Sequence, residues 1–349
     1  KKMEKKLFLH TADLHLDSAL KNLGDAKKAA VRRRELTDTF ERMADYARDN
    51  DVCAVIIAGD LFDEGSVTFA AQRETAEIIR SHGGVTFFIL SGNHDKKAFD
   101  DEFISALPEN AVILQDGKTL DFGDFTITGV YDGGDNLPVF DKDKFNITVM
   151  HGQTGGDINT RRLAGKNINY LALGHLHTYA AGNIDGRGIW VYSGCPEGRG
   201  FDETGEKGFV LFDTLGGKKF VPFCKRQLRE IKVDITGTDN YMSQVDAARK
   251  ATEGLPDGDL YKITLVGAMD EGVRAEVKAV SDRLGGSKFF VKIIDETTVK
   301  LDERRLSLEK TLKGEFFRVV RELNVSEAEK GEILRYGLAA LDGTEMNDD

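Results

Sequence analysis

The sequence has little that could build a disulfide scaffold. Its three cysteines, Cys53, Cys195 and Cys224, are an odd number and lack the close spacing of a thiolate metal site. This excludes a disulfide framework and leaves the thiols as packing residues of a protein from a reducing compartment. No apolar run approaches the roughly 20 residues that a membrane helix needs. The basic stretch Lys1 to Lys6 passes straight into Leu7 to His10 without the apolar segment of a secretory signal, so the expected address is cytoplasmic. Positive charge is also short: 48 basic against 59 acidic residues give −11, which argues against a protein that coats nucleic acid non-specifically through basic stripes. A nuclease is not excluded, because divalent ions bring positive charge to an acidic cleft. The local basic clusters, Arg32-Arg33-Arg34, Lys96-Lys97, Arg161-Arg162 with Lys166, and Lys225-Arg226 with Arg229, each read singly as solvated faces.

What is present describes a globular chain of more than one unit. The 349 residues, 40% hydrophobic and 31% charged, exceed one ordinary core and suit a large catalytic domain with smaller additions. In residues 1–225 short β-branched runs alternate with two helical segments, Asp25 to Asn50 and Thr68 to His82, and from about Asp116 onward the strands are joined by Gly and Asp turns. The pattern predicts an α/β fold in which a mixed sheet or two-sheet sandwich is flanked by helices. Residues 226–296 restart as a βαβαβ run, including a helix near Glu271 to Leu284, which predicts a small capping domain. Residues 306–342 carry Leu308, Leu312, Phe316, Val319 and Val320 at helical steps, then Ser326 with Glu329 three residues on, which predicts a helical hairpin with an apolar docking face. The tail from Gly343 reads as frayed.

Five segments place metal-capable side chains directly after apolar strands: His10-Thr-Ala-Asp13-Leu-His15, Gly59-Asp60-Leu-Phe-Asp63, Gly92-Asn93-His94-Asp95, His151-Gly152 and Gly174-His175-Leu-His177. An α/β sheet presents such loops at one edge. Only seven histidines exist, and His15, His94, His151, His175 and His177 all fall in these loops, while His10 ends a strand and His82 a helix. Singly each segment has a plain reading, since a Gly-Asp turn needs no metal and an Asn-His-Asp triplet can cap a helix. Five together point to chemistry. Imidazoles, carboxylates and one amide oxygen without thiolate suit two hard or borderline divalent ions, manganese first, with iron, zinc or magnesium as alternatives. Two ions need a bridging carboxylate, for which Asp60 is the natural choice.

These segments, in this order, resemble the calcineurin-like metallophosphoesterase superfamily, whose pattern is D-x-H, G-D-x-x-D, G-N-H-D, H-G and G-H-x-H. Residues 10–18, 58–63 and 192–208 look most similar to the bacterial DNA-repair exonuclease branch, the SbcD and YhaO type. The resemblance implies that Asp13, His15 and His177 hold one ion, that Asn93, His151 and His175 hold the other, and that Asp60 bridges them. It further implies that His94 contacts the scissile phosphate and protonates the leaving oxygen, with Asp95 orienting His94 through its other N–H. Asp63 departs from relatives that carry a histidine at that place, and it reads as a supporting or capping residue, as does Asp17. The function implied is a two-metal DNA exonuclease or endonuclease in DNA repair, a homodimer, acting on DNA with an SMC-like ABC ATPase subunit of the SbcC/YhaN type that docks on 306–342. A phosphodiesterase or phosphatase for a small molecule or phosphoprotein is the alternative, and a scaffold with a decayed site is disfavoured by the complete ligand set.

Overall fold

The computed structural model describes residues 4–63, 65, 67–131, 133–134, 137–270, 273–300 and 302–341. Lys1 to Met3, the Glu271 start of one expected helix, position 342 of the expected hairpin and the tail from Gly343 lie outside them. The chain divides into two compact units, Lys1–Leu228 and Arg229–Asp349.

In the first unit the strands run β1 (Leu7–Thr11), β2 (Ala54–Ala58), β3 (Thr86–Leu90), β4 (Ala111–Ile113), β5 (Thr119–Asp121), β6 (Phe125–Val130), β7 (Phe145–His151), β8 (Tyr170–Gly174), β9 (Ala180–Asn183), β10 (Ile189–Tyr192), β11 (Gly208–Asp213) and β12 (Lys218–Pro222). They form two six-stranded sheets, ordered β12-β11-β1-β2-β3-β4 and β5-β6-β7-β8-β10-β9. Strands β1 to β4 are mutually parallel, as are β6, β7 and β8. The two-sheet α/β architecture expected from the sequence is therefore what the chain adopts.

Alternation along the strands decides where the core lies. Phe8 of β1 and Ala12 just past its end, Ile56 and Ala58 of β2, Ile147 and Val149 of β7, and Tyr170 and Ala172 of β8 meet in one buried cluster between the sheets. The opposite face of the first sheet is covered by helix α1 (Ala26–Asp49), whose buried stripe includes Leu36, Phe40 and Met43, with Phe40 edge-on to Phe87 of β3. Asp25 starts α1 by accepting from the Lys27 and Lys28 amides at 2.9 and 3.1 Å, and Thr68 does the same for α2 (Phe69–Ser81) through the Ala71 amide. Two short helices follow, α3 (Asp101–Ala106) and α4 (Thr160–Leu163). Leu163 joins Met150, Leu171 and Tyr192 on the outer face of the second sheet.

The second unit opens with a three-stranded sheet ordered β13 (Leu228–Asp234), β14 (Leu260–Met269) and β15 (Phe290–Val299). Helices α5 (Tyr241–Ala251) and α6 (Val277–Gly285) connect these strands and share a core containing Val245, Ile263, Val280 and Leu284. Three helices complete it: α7 (Glu303–Leu308), α8 (Leu312–Glu322) and α9 (Glu327–Leu341). The sequence predicts one continuous helix from Leu306 to Leu323, but the chain breaks after Leu308. Thr311 accepts from the Gly314 amide at 3.2 Å and restarts a helix, while Arg318 donates to the Ser307 and Glu309 carbonyls, at 3.1 and 2.9 Å, that the break leaves unpaired. Leu306, Phe317, Val320, Leu334 and Leu338 form the small core of these helices, while Leu308, Leu312 and Val319 are exposed.

Candidate metal centre

The parallel arrangement decides where the five loops go. Segments 11–15, 59–63 and 91–95 leave the C-terminal ends of neighbouring parallel strands β1, β2 and β3, and His151 and Gly174 end β7 and β8 as paired positions in register. The first two loops run side by side through backbone bonds, Asp13 N–H to Gly59 C=O, His15 to Asp60 and Leu16 to Leu61, at 3.1, 3.1 and 2.9 Å. The second sheet is tied to the first at the same edge, because His151 Nδ1–H donates to the Ala58 carbonyl at 2.9 Å. A Cβ at Gly174 would run into that carbonyl, and one at Gly59, where φ is 92°, into the His151 ring. Glycine at both positions lets the two sheet edges approach.

Within this edge the ring nitrogens and carboxylates converge. His15 Nε2 lies 3.4 Å from His177 Nε2 and 3.9 Å from Asp60 Oδ2, and His177 Nε2 lies 4.0 Å from Asp13 Oδ1. On the other side His151 Nε2 is 3.2 Å from Asp60 Oδ2 and 2.8 Å from Asn93 Oδ1. One Asp60 oxygen therefore lies between the two groups of nitrogens. The other accepts from the His94 amide at 3.0 Å, and both Asp13 oxygens accept from the His175 amide at 3.0 Å. The imidazole of His175 packs edge-on against His151 and that of His94 against His15, with centroids 5.5 and 5.6 Å apart. Asp13 with His15 and His177, and Asp13 with Asp60 and His151, are each a set of mutually close donor atoms.

The arrangement fits two divalent cations on its own chemistry. Oxygen and imidazole donors face one another at distances too long for hydrogen bonds in several cases and hold two lone-pair nitrogens almost tip to tip, which a shared cation reconciles. Three of the imidazoles have a partner at their other nitrogen: His151 Nδ1 donates to the Ala58 carbonyl, His177 Nδ1 lies 2.6 Å from Glu203 Oε1, and His15 Nδ1 lies 3.2 Å from Asp63 Oδ1, an ion-pair contact without hydrogen-bond geometry. The backbone is held in a costly conformation to do this. Asp13, His15, Asp60 and His175 have φ of 53°, 46°, 50° and 98°, four of the eight positive-φ residues other than glycine among the described residues. Each such residue costs on the order of 1–3 kcal/mol, and such strain clusters at functional sites.

The protonation states follow from the packing. Burial alone would raise the Asp60 carboxyl, but the hydrogen bond and charge of His151 with the His94 amide outweigh it and hold the group at about 2. Burial would lower His151, yet Asp60 and Asp13 raise it to about 9. Burial keeps Asp13 above the usual carboxylate range. It follows that at pH 7.5 His151 carries a proton that any cation must expel. Titration with manganese in two buffers of different ionisation enthalpy is expected to show release of about one proton or more per chain, with apparent affinity rising as pH approaches 9. Buffer-independent heats would contradict this.

Two sequence expectations are corrected and a third is narrowed. Asp95 does not orient His94: its carboxylate is fully buried and accepts from the amides of Gly92 and Leu61, both at 2.7 Å, and of Phe62 at 3.4 Å. It ties the third loop to the second, and burial with the nearby Asp60 charge raises it to about 6. Asp95→Ala strands those amides and is expected to cost about 2–3 kcal/mol, read as a lower melting temperature together with weakened metal binding. Unchanged melting would contradict that role. Of the two roles expected for Asp63 the structure shows the supporting one, since it contacts His15 and accepts from Ser18 Oγ at 2.8 Å. The basic triplet at 32–34 is a solvated face only in part, since Arg34 is exposed and Arg32 is not. Arg32 is buried on Glu35 and Glu197, Arg33 donates to the Ser18 carbonyl, and Arg34 pairs with Asp38 and Glu74. Sequence reasoning also missed Glu203 and Arg199, which lie in the 192–208 stretch but do not directly follow an apolar strand.

The sequence profile of the calcineurin-like phosphoesterase family matches residues 6–179. The chain is 26% identical over 270 residues to the uncharacterized metallophosphoesterase YhaO of Bacillus subtilis, a match covering 67% of this chain and 64% of that protein. It is 25% identical over 289 residues to the DNA double-strand break repair protein Mre11 of Sulfurisphaera tokodaii, covering 71% and 70%, and 32% identical over 284 residues to that of Methanosarcina acetivorans, covering 73% and 45%. The chain thus spans less than two thirds of the first relative and less than half of the third.

Proposed function

The chain carries a calcineurin-like phosphoesterase domain, and from that premise we propose that it is a two-metal DNA nuclease. The observation that carries the phosphoesterase reading is the placement of Asp60 Oδ2 between His15 Nε2 and His151 Nε2, at 3.9 and 3.2 Å. In this reading Asp13, His15 and His177 hold one ion, Asn93, His151 and His175 the other, and Asp60 both. When bound, such a pair supplies an activated water and positive charge against the phosphoryl group. The protein's own part is to fix the ligands and to present His94, half-buried at the mouth and tied by its amide to Asp60, as the acid for the leaving oxygen.

Support for DNA as the substrate comes from two directions. Relatives named as DNA double-strand break repair proteins match over 71% and 73% of the chain. The site is also open: Asn93 is exposed, as are Lys96 and Lys97 beside it, so a polymer backbone can reach the edge without entering a closed pocket. The second unit then contributes residues 229–296 as a cap and the helices from Glu303 as a docking element for an SMC-like ATPase, using exposed Leu308, Leu312 and Val319. A homodimer completes the proposed assembly, and manganese is the proposed metal. The test is degradation of linear duplex DNA by the purified chain with manganese, with and without chelator. Manganese-dependent cleavage supports the reading, and intact DNA alongside hydrolysis of small phosphodiesters would replace it with a small-molecule phosphodiesterase.

A further inference from the structure

Two of the imidazoles assigned to the centre, His15 and His177, face carboxylates with their other nitrogen, and one side chain joins those carboxylates. Arg199 places one terminal nitrogen 3.3 Å from Asp63 Oδ1, the atom that contacts His15, and the other 3.2 Å from Glu203 Oε1, the atom that accepts from His177. Its backbone amide also donates to Glu203 Oε2 at 2.7 Å. The segment that carries it is fixed to α1. Glu197 accepts from Arg32 at 3.0 Å and from Thr39 at 2.8 Å, and Arg32 donates to the Gly198 carbonyl at 2.9 Å. The third imidazole, His151, is aimed by a backbone carbonyl and has no such link.

We propose that Arg199 is a positioning residue for one half of the centre. By spanning Asp63 and Glu203 it locks His15 and His177 together, so it sets the affinity of the ion held by Asp13, His15 and His177 and leaves the ion on the His151 side unaffected. It also keeps Glu203 directed at His177 Nδ1. Without that restraint Glu203, Cys195 and His177, whose donor atoms already lie close together, offer a cation a rival place on the wrong side of the imidazole. Bidentate spanning needs the planar fork of arginine, and a lysine supplies only a point charge.

Electrostatics alone makes the opposite prediction. The guanidinium is a positive charge beside a cation site and disfavours charge on His15 and His177, so its removal would tighten cation binding if charge were its only contribution. The sign of the change therefore separates positioning from charge.

The inference rests on the two-metal reading, and the test reads metal binding directly. Manganese is titrated calorimetrically into the full-length wild-type protein, Arg199→Ala and Arg199→Lys, with melting curves to establish folding. The wild type is expected to bind two ions; both variants are expected to hold one at wild-type affinity and to weaken the other by about 10–100-fold, as loss of such outer contacts does elsewhere. Glu203→Gln is expected to weaken the same ion, and the double variant to lose little more than either single one, because the two act through one contact. Arg199→Lys, which keeps the charge and most of the side chain, carries the test if Arg199→Ala does not fold. Unchanged or tighter binding in the variants, equal weakening of both ions, or additive losses would overturn the role of Arg199 alone. Fewer than two ions in the wild type would overturn the two-metal reading and the inference with it.

Discussion

Asp60→Ala is expected to leave a folded chain that holds neither ion at wild-type affinity and whose phosphodiester hydrolysis falls by on the order of 10³-fold or more. The magnitude follows from the several kcal/mol that a clamping metal pair contributes to the transition state, at about 1.4 kcal/mol per tenfold. The residue is central by geometry: one oxygen faces His15 and His151 at 3.9 and 3.2 Å, and the other accepts the His94 amide at 3.0 Å. Loss of that carboxylate also removes the hydrogen bond and charge of Asp60 that help raise His151 to about 9, so the imidazole is expected to release its proton more readily, with Asp13 and the Ala58 carbonyl still holding part of it. Metal content and turnover measured on the same preparation check the result. Retention of both ions with only a few-fold loss of turnover would mean that Asp60 bridges nothing.

His94→Ala is expected to separate the two properties that Asp60→Ala loses together. The side chain is half-buried beside His15, with ring centroids 5.6 Å apart, and the His94 backbone amide donates to the carboxylate between the two donor groups. The variant should therefore bind metal as the wild type does, while turnover falls by about 10²–10⁴-fold, the range for loss of a positioned general acid. The defect should shrink for a substrate whose leaving group needs no proton, such as a nitrophenyl phosphodiester, and stay full for DNA. A defect of equal size on both substrates would make His94 a binding residue and not the acid.

The sequence announced the centre because metal-capable residues there follow apolar strands. Val55 to Ala58 or Phe87 to Leu90 can be read as a buried strand, and what comes next must lie at the sheet edge. The same logic fails for Glu203 and Arg199. They sit in a glycine-rich stretch eleven and seven residues past the end of β10, too far for the strand to fix where they lie, so nothing in their neighbours says that they reach His177 and Asp63. Asp95 misled for a related reason: an acid next to a histidine suggests a pair, but positive φ at Asp60 turns the neighbouring loop so that its amides take the carboxylate instead. In the fold, the edge strands β5, β9 and β12 escaped notice because residues such as Thr119, Asn183 and Lys218 carry no apolar alternation, and pairing at an edge demands none. The break between α7 and α8 was hidden by an apolar stripe that continues across it.

Anomalous diffraction from crystals grown with manganese tests the central claim most directly. Two peaks roughly 3.5–4 Å apart are expected, one enclosed by Asp13, His15 and His177, the other by Asn93, His151 and His175, with Asp60 touching both. A single peak, or one seated among His177, Cys195 and Glu203, would contradict the account.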